Sequence, residues 1–578
     1  MLVQIRRNAP LIRRLVCAAV GAAFLAPAAA QAQDAPLARA ELDAAYAGEA
    51  KLVLTASAPG SDWGTAGKES ALLEIAVDGK PVTNVVTFFG AVPLDYDVAL
   101  GRVTAGKHEI TVTLDAAKSP VPNAVVTAMK PSLAAEGDLV ARYAPILYGR
   151  NLPTIPGAFE NVNTDAPILA YHTSSVDAQG NRTIEYTMIW SNEDGGTNTP
   201  SLMARWGRTT DIEWLYRVVV DPSGNRVSDA YQSAGHGTLP FDGIRENDHP
   251  LLQVTTSNNN MSSVTDIATS SGYRFFLDTA EALPANRARE AAMDANPWTY
   301  QVMAKEMVRE GKVEAVANPD TQAMSDQRNY LWAEVKKTTS YTTPPRAGNF
   351  AGVALAAKVG DVWYTSHHNV ASISIERDDP AATTIELPIG TTARDITALK
   401  AIAVPSGTPG TYSIDVTAIN RGFLLGADYL PGPSLVNWAG KETLTPQRTE
   451  ALLWASTNSD GITGGTVPAT LSLSMGAAAS FGAFLPGVSK TYTASTIADV
   501  TSTAGDAALT VSDPGALTNG AFSLPEALQV QFSKSAWTGP VSDDTVAVDF
   551  SQHIGAGDAL RTGSYSKTLT FTLSTQTP

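Results

Sequence analysis

Arg182-Thr-Ile-Glu-Tyr-Thr-Met-Ile-Trp190 and Asp211-Ile-Glu-Trp-Leu-Tyr-Arg-Val-Val-Val220 decide the fold class of this chain. In the first segment Ile184, Tyr186, Met188 and Trp190 recur at every second position, and in the second Ile212, Trp214, Tyr216 and Val218 do the same. A strand sends successive side chains to opposite faces, so each segment predicts a half-buried β-strand with an aromatic inner face. Between them Ser191-Asn-Glu-Asp-Gly-Gly-Thr197 supplies turn-forming residues.

The same period of two extends in both directions. Upstream, Ala71 to Val77 and His108 to Leu114 alternate, punctuated by Asp78-Gly79 and Ala105-Gly106-Lys107 as turns would be, which predicts an N-terminal β-sandwich over 45–135. The central unit, 136–380, is predicted to be β-rich with one helical insertion. Ala288 to Met293 are strong helix formers, Asn296-Pro297 opens a turn, and Tyr300, Met303, Ala304 and Met307 repeat at three and four. Residues 381–460 read either as a β-rich extension of that unit or as a separate sandwich. From Gly464 to the end, runs such as Thr545-Val-Ala-Val-Asp-Phe550 in a Ser/Thr/Gly background predict a C-terminal β-sandwich, 464–578. The fold class is therefore mainly β: multidomain β-sandwiches around a central β-rich domain with a short helical insertion. A length of 578 residues is too great for one ordinary domain, and 45 glycines and 35 prolines suit a turn-rich β protein better than a helical one.

Compartment is legible at the start of the chain. Arg6, Arg7, Arg13 and Arg14 form a basic region, Leu15 to Leu25 an apolar one, and Ala30-Gln-Ala32 a small-residue cleavage site, so residues 1–33 read as a signal peptide. Cys17, the only cysteine, lies inside that segment, which leaves the exported part without disulfides or thiolate chemistry. The net charge of −16 becomes −20 without the four signal arginines. An acidic surface repels phosphate backbones, which excludes nucleic acid as a natural partner. No second apolar run is long enough to span a bilayer. The expected location is outside a bacterial cell, secreted or associated with the cell surface.

Two stretches resemble known families. Gly465-Thr-Val-Pro-Ala-Thr-Leu471, Thr501-Ser-Thr-Ala-Gly-Asp506, Gly520-Ala-Phe-Ser-Leu-Pro525 and the run from Asp558 to Leu573 resemble a module appended to many secreted actinobacterial proteins. That resemblance implies an exported modular protein and no particular reaction. Tyr143-Ala-Pro-Ile-Leu-Tyr148, with Trp190 and Thr210-Asp-Ile-Glu-Trp214, is similar to the vacuolar-sorting-62-like family. That family usually carries Gly-Asp-Trp-Glu where this chain has Asp211, Ile212, Glu213 and Trp214, so no catalytic role transfers with the likeness.

Candidate chemistry concentrates in the central unit. Asp211 and Glu213 stand two apart on one strand, which places both carboxylates on one face, at a separation compatible with the roughly 5 to 9 Å used in glycosidic hydrolysis. The alternation sets that face opposite Ile212, Trp214 and Tyr216, so a solvated polar face explains the pair equally well. Glu193 on the preceding loop and His236 in Gly235-His-Gly237 complete the candidate catalytic set. Arg205 and Arg208 could hold an anionic group, while Trp206, Trp363 and Asn259 could form a sugar-binding lip. Asp242, Glu246 and Asp248 offer oxygen ligands for a cation, calcium first, although their spacing is not that of the twelve-residue calcium loop. These features point to an exported envelope protein that binds or processes a carbohydrate polymer such as a glycan or cell-wall polymer, as a glycoside hydrolase if it is an enzyme. A non-enzymatic surface structural or adhesion module and a metal-dependent hydrolase of another polymer remain as alternative readings.

Overall fold

The turn Asp78-Gly79 shows how directly local sequence becomes structure here. Both residues have positive φ, 50° and 76°, and they join Ala71–Val77 to Lys80–Thr87 as a two-residue hairpin with Val77 opposite Lys80. Such a turn needs left-handed backbone at both central positions, which Asp-Gly supplies cheaply. The hairpin belongs to a four-stranded sheet with Ala38–Ala44 and Gly106–Leu114. A three-stranded sheet of Leu94–Val103, Gly48–Ser57 and Val125–Leu133 accompanies it.

The structure, a computed structural model, describes residues 35–150, 161–193, 198–270, 272–456, 471–504 and 506–575. The expected signal peptide, the loop residues Asp194 to Thr197 and the turn-rich stretch before Gly464 lie outside the described residues. The chain divides into two compact units, Met1–Asn458 and Ser459–Pro578. No helix among the described residues is long and apolar enough to cross a membrane.

In the first unit the aromatic strands sit in a ten-stranded, nearly closed sheet. Its main path runs Arg274–Phe275, Ile146–Tyr148, His249–Val254, Met261–Ser263, Arg226–Ser233, Asp211–Val220, Arg182–Trp190, Pro167–Val176. One continuous core joins this sheet to the N-terminal strands, from Leu52, Leu54 and Trp63 through Tyr186 and Tyr216 to Met303. The helical insertion forms Ala291–Ala295 and Trp298–Arg309. Tyr300 on the second helix meets Trp332 and Phe423 edge-on at 5.2 and 5.8 Å, so the helix buries its apolar stripe against a neighbouring sheet.

That neighbouring sheet changes the expected partition near residue 380. Tyr330–Tyr341 and Phe350–Val359, read from sequence as part of the central unit, pair with strands that follow Asp378-Asp379-Pro380: Leu331 lies opposite Ile385, and Leu355 opposite Ala401. The result is two four-stranded sheets over 330–455 around their own core, including Leu331, Val353, Leu399 and Ile414. In the second unit, Leu471–Met475, Lys490–Ser502, Val541–Ile554 and Gln529–Phe532 form one sheet. Ala536–Trp537, Ala507–Val511 and Phe571–Ser574 form another, with Trp537 buried in the core.

A helix that the sequence pattern did not announce, Thr199–Trp206, sets the position of the candidate arginines. Asn198 caps it by accepting from the Ser201 amide at 2.8 Å, and Gly207 ends it in the left-handed region at φ 61°. A Cβ on Gly207 would stand 2.7 Å from the Thr383 nitrogen. Gly207→Ala is therefore expected to destabilise the first unit by about 2–3 kcal/mol, combining left-handed strain with a backbone clash. Urea unfolding followed by tryptophan fluorescence checks this, and a change under about 0.5 kcal/mol would contradict it.

Candidate functional site

A one-residue irregularity builds the site. The strands Arg182–Trp190 and Asp211–Val220 pair so that Trp190 opposes Asp211, Met188 opposes Glu213, and Tyr186 opposes Tyr216, with the register slipping at Leu215. Directly opposed residues share a face, and a bulge switches the parity of the strand that carries it. Asp211 and Glu213 consequently lie on the same face as Tyr216 and Val218, not opposite them. The predicted solvated pair is buried, with Asp211 2% and Glu213 7% exposed. Trp214, expected beside Tyr216, takes the other face, half-buried under the Arg217 guanidinium at 4.7 Å.

Each carboxylate is held by amides from neighbouring loops. Asn259, at φ 47°, donates from Nδ2 to Asp211 Oδ2 at 2.8 Å. Its own Oδ1 accepts from Arg150 Nε and Nη2 at 3.1 and 3.0 Å. Arg150 also donates to the Ser257 carbonyl at 2.8 Å and pairs with the fully buried Asp165. Gln232 Nε2 donates to Glu213 Oε2 at 2.7 Å, Asn258 Nδ2 donates to Oε1 at 3.4 Å, and His236 Nδ1 stands 3.4 Å from the same oxygen. His236 keeps 58% of its side chain exposed, so it forms the solvent side of the cluster.

Burial governs the electrostatics. It pushes the Glu213 carboxyl up to about 8, assisted by the negative charge of Asp211. Burial also raises Asp211, against the opposing pull of Arg208 and the Asn259 hydrogen bond. Glu290 is buried as well, but Arg208, Arg377 and Arg289 overcome that penalty and hold it below the ordinary range. Arg208 Nε donates to Glu290 Oε1 at 2.9 Å, and its Nη1 lies 3.9 Å from Glu193 Oε2. A carboxylate pair holding a proton near neutral pH can donate or accept one, which is the minimum for acid–base work.

The structure thus brings Asp211, Glu213, His236 and Asn259 together and places Glu193 beside Arg208, whose charge acts on Asp211 and Glu213. It does not assemble the sugar-binding lip. Trp206 is covered by the Arg377 guanidinium, 3.9 Å from its centroid, with Arg289, Arg208 and Arg205 at 5.7 to 5.9 Å. Arg205 pairs with Glu376 at 2.9 Å. Trp363 lies in the 330–455 sheets with Lys400 Nζ 4.5 Å from its ring centre. A cation seated on an indole face occupies the surface on which a sugar would stack.

The calcium set is corrected outright. Asp242 accepts from Ser263 Oγ at 2.6 Å, Glu246 pairs with Arg274 at 2.6 Å and with Lys80, and Asp248 pairs with Arg142 at 2.7 Å. A tight turn through Asn247 and Asp248 brings Glu246 opposite His249, so neighbours in sequence are dispersed among separate partners. Among the described residues no group of three His, Cys, Asp or Glu side chains is placed to hold a metal ion.

Sequence reasoning missed Arg150, Asp165, Gln232, Arg289 and Glu290. The triple Asn258-Asn259-Asn260 was the one visible sign of the amide cluster.

No family model matches the chain, and no curated protein matches it. Among solved structures, a ruminal GH26 endo-beta-1,4-mannanase is similar over 23% of this chain at 12% identity and a TM-score of 0.14, so the match spans a quarter, 25%, of the mannanase. The BSP domain of a biofilm-associated protein aligns over 93% of this chain and 90% of its own, at 11% identity and a TM-score of 0.10. The Amycolatopsis orientalis exo-chitosanase CsxA aligns over 91% and 90%, at 8% identity and a TM-score of 0.10. Likenesses this slight carry no argument about what the chain does.

Proposed function

We propose that the protein is an exported bacterial surface protein that acts as a non-enzymatic structural or adhesion module on a carbohydrate polymer of the envelope. The observation that supports this reading is how the candidate site is closed. Asp211 Oδ2 and both oxygens of Glu213 accept from Asn259, Gln232 and Asn258, and each candidate tryptophan has one of the chain's own cations over its ring. The β-sandwich architecture and the signal-like first 33 residues suit a surface module.

A second reading, hydrolysis of the polymer, is favoured by one specific feature: the Glu213 carboxyl, raised to about 8, lies beside the half-exposed His236. Incubation of the purified chain with insoluble cell-wall polysaccharides separates the two. Retention on a polymer without soluble product is the expected result, and Glu213→Gln should leave retention unchanged. Reducing sugar released by the wild type and suppressed by Glu213→Gln would overturn the structural reading in favour of hydrolysis, because an amide keeps the shape but cannot exchange the proton. Neither retention nor product on any envelope polysaccharide would defeat both.

A further inference from the structure

The second unit contains a cavity of about 780 Å³. Most of its lining residues are exposed, so it is a groove open to solvent. Its volume lies within the roughly 300–1,000 Å³ typical of small-molecule sites. Its origin is in the sequence: the exposed Met475-Gly-Ala-Ala-Ala-Ser480 lines one part of it with little side-chain bulk, and residues from Leu560 to Phe571 line another. Phe484, Leu517, Leu528, Phe550 and Phe571 line the space between them. These five side chains supply the apolar part of the lining, beside polar residues such as Ser480, Thr562 and Ser564.

The polar part of the lining gives the occupant's other end. Arg561 and Lys567 both line the cavity and are exposed, and among the described residues neither forms an ion pair with a carboxylate. Arg561 instead lies over the half-exposed Phe522 at 4.9 Å from the ring centre. Lys534 in the same unit is matched to Asp544, whereas Lys490 also has no ion pair among the described residues and lies over Tyr492. Two cations without ion-pair partners on a partly apolar groove complement a chain with an anionic head.

We infer that this cavity binds a single-chain amphiphile, an acyl chain ending in an anionic group, with the chain among the phenylalanines and leucines and the head at Arg561 and Lys567. The inference stands on the second unit alone and is independent of the reading of Asp211 and Glu213. The shared chemistry, acyl chain plus anion, is found both in free fatty acids and in anionic membrane lipids.

Calorimetric titration of the full chain with octanoate, decanoate and dodecanoate, each below its micellar range, tests the acyl part. Saturable one-to-one binding should tighten roughly tenfold for each two added methylenes, as burial of apolar surface requires. Reversal of both cations, Arg561→Glu with Lys567→Glu, should weaken dodecanoate at least tenfold while sparing dodecyltrimethylammonium. Both side chains are exposed, so the fold should survive the change. Ala478→Phe, which places a ring at a small exposed lining residue, should weaken all three acids together. Sedimentation with vesicles of phosphatidylglycerol, compared with phosphatidylcholine, identifies the source: retention on the anionic vesicles alone indicates a membrane lipid, and dodecanoate binding without retention indicates a free acid. Absence of both overturns the inference, as does binding that ignores chain length or is unchanged by the charge reversal.

Discussion

Arg150→Met is expected to destabilise the first unit by about 3–5 kcal/mol, the usual consequence of removing one partner from a buried ion pair. The Arg150 side chain is 1% exposed and the Asp165 side chain 0%, so water cannot take over when the guanidinium leaves. The loss reaches beyond Asp165. The guanidinium of Arg150 donates to Asn259 Oδ1 and to the Ser257 carbonyl as well. Removal of the guanidinium leaves a buried carboxylate, a side-chain carbonyl and a backbone carbonyl without that donor, and releases the asparagine that holds Asp211. Arg150→Lys should recover only part of the loss, because a single ammonium cannot reproduce a planar fork directed at three acceptors. Arg150→Met with Asp165→Leu should recover more than either single change, since it removes both buried charges. Urea unfolding monitored by tryptophan fluorescence reports on the first unit, which holds nine of the ten tryptophans. A midpoint for Arg150→Met close to that of the wild type would show that the network is not holding the loop.

Much of the architecture follows from local pattern, and the exceptions have identifiable causes. Asp78-Gly79 and the alternating strands beside it carry their structure in adjacent residues, so that hairpin was legible. The pairing of Leu331 with Ile385 was not, because a strand's partner is a long-range choice and Asp378-Asp379-Pro380 looks like a boundary although it joins strands of one sandwich. At the site, the grouping of Asp211, Glu213 and His236 was anticipated, whereas its burial was not. Strict alternation places Glu213 opposite Trp214 and Tyr216 together, and nothing in Trp214-Leu-Tyr216 announces the extra residue that changes the parity. The acids 242, 246 and 248 illustrate the opposite error. Proximity in sequence suggested a common ligand, while Arg142, Arg274 and Lys80, remote in sequence, supplied the charge partners of Glu246 and Asp248. Arg150 and Asp165 follow no period at all, and only the folded chain joins them.

Stability of the first unit is expected to fall as pH rises from about 4.5 to about 8, and Glu213→Gln is expected to remove that component. Folding raises the Glu213 carboxyl from 4.5 to about 8 because the site strips its water and sets Asp211 beside it. Between those values the folded chain holds a proton that the unfolded chain has released, so protons bound are fewer in the unfolded state and the unfolding free energy decreases with pH. The stabilisation is complete below the unfolded value and is lost as pH climbs through the folded one, with a slope of up to about 1.4 kcal/mol per pH unit for one proton. Arg208 and Arg289 favour ionisation of both carboxyls, and Arg150 that of Asp211, so they oppose the effect of burial. The comparison between wild type and variant isolates the carboxyl from those groups. Glutamine is neutral at every pH and retains one oxygen to accept from Gln232 or Asn258, so Glu213→Gln should match the wild type near pH 5 and exceed it at pH 8. Urea midpoints at pH 5, 6.5 and 8 for both proteins measure the difference. Parallel curves, with the variant no more stable at pH 8 than at pH 5 relative to the wild type, would mean that Glu213 ionises in the folded chain as readily as in water, and the shared proton assigned to this site would not exist.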